Sequence, residues 1–466
     1  MTTIRDLSAS YAEGRQSPVK VTEDLLAKVE KLNPAIDCYI TILKESALAE
    51  AEIAETLFKE GKSIGFLQGI PLAIKDIVYI KGVRCTAGSK ILESNLAPYD
   101  SPVARRLKSQ GAVILGTTNL HEFACGVTNV NPHYGATRNP WDLDRIPGGS
   151  SGGSAASVSA GMSVAAVGTD TAGSVRIPAS LCGVVGLKPT YGRISRVGVV
   201  PLSSSFDTVG TLTGCTWDAA VMLQALAGPE QGDMTTADIG VPNYLEDVDR
   251  LGEKKVGVPR RFIEGRVTGG VMSTFESYLS DLSRLGCDVV DLEVEAFEEA
   301  AQVFFPIRRA EASAFHQKWL AEHPEMYGRD VREKLEDGRR ILAVDYVNAQ
   351  NRRPELRQRL IESMGEADFL ATPTTSVVAP RIGQESVEIL GKGVDVYTAL
   401  VEMTLPASLV GFPALSIPVG HSEGLPVGAQ LMARPYDESG LLAIANAYEK
   451  TVGRFPEPKA IAVPSA

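Results

Sequence analysis

The sequence predicts an α/β fold, on three observations. Short apolar runs such as "GIPLAIKDIVYI" and "AVILG" alternate with segments whose apolar residues recur at helical spacing. The chain has 466 residues, 44% hydrophobic and 22% charged, the balance of a soluble globular protein able to bury a large core. No internal repeat and no long polar linker divides it, so one domain over residues 1–466 is expected.

The elements follow in order. An N-terminal helical segment spans 1–65. In it "VTEDLLAKVEKL" places Leu25, Leu26, Val29 and Leu32 on one helical face, with Thr22 as a candidate N-cap. A second helix, "ESALAEAEIAETLFKEG", stops near Gly61. Residues 66–215 form a core: the buried-strand run "GIPLAIKDIVYI", a helix in "VARRLKSQG", the strand "AVILG", then a glycine- and serine-rich region. Residues 216–370 form a variable, mostly helical region, and its charge-rich part, 296–365, is expected to cover the core rather than build it. Residues 371–466 return to the core through "PALSIPVG" and close on the helix "ESGLLAIANAYEKTV", with "ADFLATPTT" leading in.

Composition narrows the function. A formal net charge of −11 disfavours direct binding to nucleic acid or to an anionic membrane. No run approaches the ~18 apolar residues of a membrane span, and the N-terminus lacks the apolar stretch of a secretory signal, so a cytoplasmic protein is expected. Six cysteines without CxxC spacing point to reduced, buried thiols.

The informative stretch is "IPGGSSGGSAASVSAGMSVAAVGTDTAGSVRIPAS", residues 146–180. A flexible linker would not carry the apolar "AASVSAGMSVAAVG", which suits a short helix and a strand. A phosphate cradle would want a Gly-Lys-Ser/Thr ending, which is missing. A catalytic reading rests on two serines flanked by small residues, Ser150 in "GGSSGG" and Ser174 in "DTAGSVR", where backbone N–H groups can approach a substrate. A serine needs a base. None of the histidines, His121, His133, His316, His323 and His421, sits in a triad-like context. A desolvated lysine is the other option, and Lys75 lies within an apolar run. The same residue could equally sit at a strand end and reach solvent beside Asp76.

These motifs resemble the amidase signature family. "GGSSGGS" at 148–154, "GTDTAGSVRIPAS" at 168–180 and "GVVGLKPTYGRIS" at 183–195 carry the likeness, with "GIPLAIKD", "HYGATRNPWD" and "LPVGAQLMARPYDE". The resemblance covers nearly the whole chain, weakest from about 225 to 370. It implies a large mixed, twisted β-sheet with helices on both faces. It implies a Ser-Ser-Lys triad: Ser174 as nucleophile, Ser150 as the bridging serine held by a cis peptide, Lys75 as general base. The backbone N–H groups of Thr171, Ala172, Gly173 and Ser174 would face the oxyanion. Asp170 and Arg176 would brace the loop. Ser151 and Ser154 would serve as loop hydrogen-bonders and helix cap, with Ser151 assisting the relay. No metal or organic cofactor is implied; the partner would be a small-molecule amide, and a homodimer is the family-based expectation. The family often has glycine where this chain has Ala172.

Within the family the texture is similar to the A subunit of the glutamine-hydrolysing tRNA amidotransferase. Three features point away from that role. Val401, with Glu402 beside it, stands where that subunit carries an Asp for the glutamine amino group; Ser408 replaces an Asn; and the sequence stops soon after its closing helix. The expectation is therefore a free-standing amidase cleaving an amide, anilide or urea-type bond. An allophanate- or carboxybiuret-type hydrolase and the amidotransferase subunit are the alternatives. All three triad residues are present, which speaks against an inactive scaffold. Specificity is expected from "CGVTNVNPHYG", from 300–365 and from residues near 400–405.

Overall fold

A computed structural model describes residues 2–459. Its centre is an eleven-stranded mixed sheet. In chain order the strands are β1 Tyr39–Ile42, β2 Pro71–Lys75, β3 Val113–Thr118, β4 Ala165–Asp170, β5 Val185–Lys188 and β6 Thr208–Thr213. They continue as β7 Lys255–Val258, β8 Asp288–Asp291, β9 Phe369–Pro373, β10 Ala414–Ser422 and β11 Leu425–Ala433. Across the sheet they run β1-β3-β2-β4-β6-β5-β10-β11-β9-β7-β8. The trio β3-β2-β4 is parallel, as is β9-β7-β8, and the other neighbours are antiparallel.

Strands β2, β3 and β4 are buried at every residue, because helices cover both faces of the sheet. The period-2 alternation of a strand sorts their side chains. Leu72, Ile74, Ile114, Ala165 and Val167 join the larger apolar cluster. Ala73, Val113, Leu115 and Ala166 join the smaller one, against Leu26, Val29, Ile36, Ala47 and Ala51 of the N-terminal helices. With both faces apolar, the strands read as near-continuous hydrophobic runs.

Two expectations need correction. The first long helix spans Pro18–Ile36, not a start at Thr22: Ser17 is its N-cap, accepting from Lys20 N at 3.1 Å, and Pro18 takes the first turn, where its missing N–H costs nothing. Thr22 is buried inside that helix. The helices Ala300–Glu322, Arg329–Gly338 and Ala343–Met364 do more than cover. Phe304, Ile307, Leu335, Leu356 and Leu360 belong to the main core cluster. Most of their charged residues occupy the outer faces, which is why the segment reads as polar; Arg308 is a buried exception. All six cysteines are buried and unpaired. Among the described residues no helix is long and apolar enough to cross a membrane.

Phe304 is fully buried, and its ring stacks on Phe206 at 4.4 Å, docking the helix Ala300–Glu322 onto the loop before β6. Phe304→Ala should therefore lower the unfolding free energy by about 3–5 kcal/mol, read from chemical denaturation curves.

Candidate active site

The site forms where β2 and β4 end. They are parallel, with Leu72 opposite Ala165 and Ile74 opposite Val167, so their carboxyl ends open on the same side. Such an edge is where open α/β sheets place ligands. Lys75 is the last residue of β2, and Thr169 and Asp170 close β4. The "GGSS" turn comes to the same place just before the helix Gly152–Ser159. Its Gly149–Ser150 peptide is cis. Ser151 N donates to Ser174 O at 3.1 Å and so joins the two serine loops. Gly168 lets the turn lie on β4: a Cβ there would stand 2.8 Å from Ser151 Oγ.

Lys75 is fully buried, so it does not reach solvent. Asp76 turns away from it, accepting from Thr86 N at 3.0 Å. Lys75 Nζ instead lies 2.8 Å from Ser150 Oγ, 3.0 Å from Ser151 Oγ and 2.8 Å from Thr169 Oγ1. Among the described residues no carboxylate pairs with it. Burial dominates and pulls its pKa from 10.5 to about 7, against the more distant attraction of Asp207 and Asp170. Ser151 Oγ also donates to Thr169 O at 3.1 Å, and Ser154 Oγ to Val167 O at 3.0 Å. Ser154 does not cap the helix; Ser151 holds that position, without a side-chain cap bond.

The loop after β4 wraps around one carboxylate. Asp170 accepts from the backbone N–H of Gly173 at 2.8 Å, of Val175 at 3.2 Å and of Arg176 at 3.4 Å. This corrects one expectation: the Gly173 amide, assigned to an oxyanion, is already taken by Asp170. The amides of Thr171, Ala172 and Ser174 make no hydrogen bond among the described residues, and neither does the Ser174 hydroxyl. Gly173 has φ +127°, and a Cβ there would run into Thr404 Oγ1, so only glycine fits.

Arg176 grips Asp170 in a fork, Nε to Oδ2 at 3.0 Å and Nη2 to Oδ1 at 2.9 Å, with both side chains fully buried. Its remaining donors reach Thr404 O at 2.9 Å, Gln430 Oε1 at 2.5 Å and Ser408 Oγ at 2.8 Å. Burial alone would raise the Asp170 pKa, but the Arg176 guanidinium outweighs it and holds the carboxylate below its usual value. The pair is fully buried and bonded, with Ser408 inside the same network. Val401 is buried in the core, and Glu402 is bound by Arg266 Nε at 2.8 Å.

Thr169, Thr404 and Gln430 were not among the expected residues. Thr169 could be found only from the sheet order that sets β4 beside β2. No histidine ring hydrogen-bonds Ser150, Ser151 or Ser174: His121 faces Asp330 and Thr128, His133 faces Glu122, and His316 faces Tyr327. Among the described residues no group of three or more His, Cys, Asp or Glu side chains could hold a metal ion.

A wide mixed sheet with helices on both faces, and hydroxyls gathered on a desolvated lysine at its strand ends, are the attributes of an enzyme that hydrolyses amide C–N bonds. The Amidase family model matches residues 20–442, and the chain belongs to that family. The glutamyl-tRNA(Gln) amidotransferase A subunit of Chloroflexus aurantiacus is 39% identical over 475 residues, covering 96% of each chain. The solved structure of an amidase is 34% identical and superposes with a TM-score of 0.88 over 97% of this chain and 100% of its own. A chain from a vestigial complex linked to the origin of an s-triazine catabolic enzyme is 32% identical, with a TM-score of 0.93 over 98% and 100%.

Lys75 also affects stability. Between about pH 7 and 10.5 the unfolded chain holds a proton on this lysine that the folded chain has lost. Its burial penalty is thus fully present below pH 7 and fades as pH rises toward 10.5. The stability difference between Lys75→Met and the wild type, followed by denaturation from pH 7 to 10, should fall with pH.

Proposed function

We propose that this protein cleaves a carboxamide through an acyl-enzyme, with Ser174 as nucleophile, Ser150 as proton relay and Lys75 as base. The observation that carries the reading is Lys75 itself: a fully buried amine near pKa 7, bound to hydroxyls and, among the described residues, to no carboxylate. Neutral Lys75 takes the Ser150 proton as Ser150 takes that of Ser174. Ser174 Oγ bonds to the substrate carbonyl carbon. The unengaged amides of Thr171, Ala172 and Ser174 receive the oxyanion, while Gly173 spends its N–H on holding the loop. The C–N bond then breaks, its electron pair leaving on nitrogen, which receives the proton returned through Ser150. Water adds to the acyl-enzyme by the same relay and releases the acid. The Ser174–Ser150 contact forms when a carbonyl occupies the loop, as catalytic hydrogen bonds tighten in the bound complex. Ser151 and Thr169 hold the lysine in line.

The A subunit of a tRNA amidotransferase is the second reading, and the names of the curated relatives favour it over the free-standing amidase expected from sequence. The structure also weakens one of the objections to it: Ser408 belongs to the Arg176 brace, so its identity follows from packing. The objection from Val401 stands, since the neighbouring Glu402 is engaged by Arg266. A glutaminase assay on the single chain, repeated with the remaining subunits and acylated tRNA, separates the two readings. Hydrolysis that needs the full assembly establishes the amidotransferase role.

Ser174→Ala should lower amide hydrolysis by at least about 10³-fold with the fold intact by circular dichroism. Substantial residual turnover in that variant would exclude Ser174 as nucleophile. Because only neutral Lys75 can accept a proton, kcat/KM should fall about tenfold per pH unit below pH 7, and a flat profile there would exclude Lys75 as base.

A further inference from the structure

The helix Ala300–Glu322 carries a buried cation that the proposed mechanism does not use. Arg308 is 4% exposed. Its hydrogen bond is from Nη2 to the Cys125 thiol at 3.0 Å, a weak acceptor. No carboxylate lies within ion-pair distance of it among the described residues. Among the described residues four of its five N–H donors have no hydrogen-bond partner. The contrast with Arg176, every donor of which is bonded, is sharp. A guanidinium this far from water is costly unless an anion meets it.

Its position relates it to the catalytic serines. His121 N donates to Ser150 O at 3.2 Å, which ties the segment bearing Cys125 to the relay turn. Ala124, next to Cys125, lines one cavity with Thr169, Thr171 and Asp207. One turn before Arg308, Phe304 stacks on Phe206, the neighbour of Asp207. The charge of Asp207 reaches Arg308, but its oxygens are already occupied by Thr171 Oγ1 at 2.6 Å and by the amides of Leu202 and Ser203 at 2.8 and 2.9 Å. Lys334 also reaches this segment, donating to Cys125 O at 3.1 Å, but its charge is paired with Asp330 at 3.5 Å.

We infer that Arg308 is a specificity residue, and that the substrate amide carries a carboxylate which its guanidinium binds while the amide carbonyl lies on the 171–174 loop. The planar fork of N–H donors matches a carboxylate, and the Cys125 thiol holds the side chain in place until the anion arrives. The inference rests on the amide-hydrolase reading and adds the substrate class to it.

The test compares ω-monoamides of short straight-chain dicarboxylic acids with neutral amides of the same length. The wild type should favour the acidic series in kcat/KM by roughly 10²-fold or more, because a site built around a charged donor rejects a ligand that leaves it unpaired. The preference should collapse toward unity in Arg308→Met, mainly through KM, and return in part in Arg308→Lys. The free dicarboxylates should raise the thermal midpoint of wild type and not of Arg308→Met. A wild type that hydrolyses neutral amides as well as acidic ones overturns the inference without touching the amide-hydrolase reading, whether or not Arg308→Met folds. If neither series is hydrolysed, the hydrolase reading fails for these amides, and the thermal shift still decides the carboxylate site: no Arg308-dependent shift overturns it.

Discussion

The arrangement depends first on the Asp170–Arg176 pair. Asp170 gathers three consecutive-turn amides, and in doing so it fixes which N–H groups of the loop point inward and which remain open. Arg176 fixes Asp170 in turn and extends the constraint across the molecule, to Thr404 and Ser408 of the C-terminal helical turn and to Gln430 of β11. Segments separated by more than 200 residues thus set the shape of one five-residue loop. A buried ion pair adds little net stability compared with well-packed apolar residues, but breaking one side strands a charge. Its value here is conformational: every donor and acceptor is satisfied in one arrangement, so the loop has one geometry.

The lysine is governed by the opposite rule. Where Arg176 faces a matched carboxylate, Lys75 is given only hydroxyls, and burial drives it toward neutrality. Lys188, at the end of β5, is equally buried and also falls to about 7. Among the described residues its amine bonds only to Pro189 O, at 3.0 Å. A lowered pKa therefore does not by itself make a base. In the proposed mechanism what distinguishes Lys75 is that its partners are hydroxyls able to pass a proton on, one of them in the turn stitched to Ser174.

Much of this is legible in the sequence. The alternation of buried runs and helical spacing leads to an α/β sheet, and β2, β3, β4, β9 and β10 lie where the apolar runs predict them. Their burial on both faces makes them uniformly hydrophobic, which is a local property. Strand β1 is not legible, since Tyr39–Ile42 is a partly exposed edge segment of four residues. The role of the helices between 300 and 365 is masked because their polar outer faces dominate the composition while their inner faces complete the core. The serine motifs mark the site, but the choice between a snorkelling and a buried Lys75 rests on resemblance until burial is seen.

The sequence by itself determined the motif chemistry: two serines hedged by glycine, an Asp and an Arg six residues apart, and a lysine in an apolar strand. These are local facts, set by residue type and spacing along a few turns of chain. Only the tertiary structure decided that Lys75 has no carboxylate partner among the described residues, that Gly173 gives its amide to Asp170, and that Arg308 is buried with a thiol and no carboxylate as its partner among them. Each of these is a relation between elements far apart in the chain. Whether a charge is matched or stranded depends on what the fold packs against it, and no local pattern carries that information.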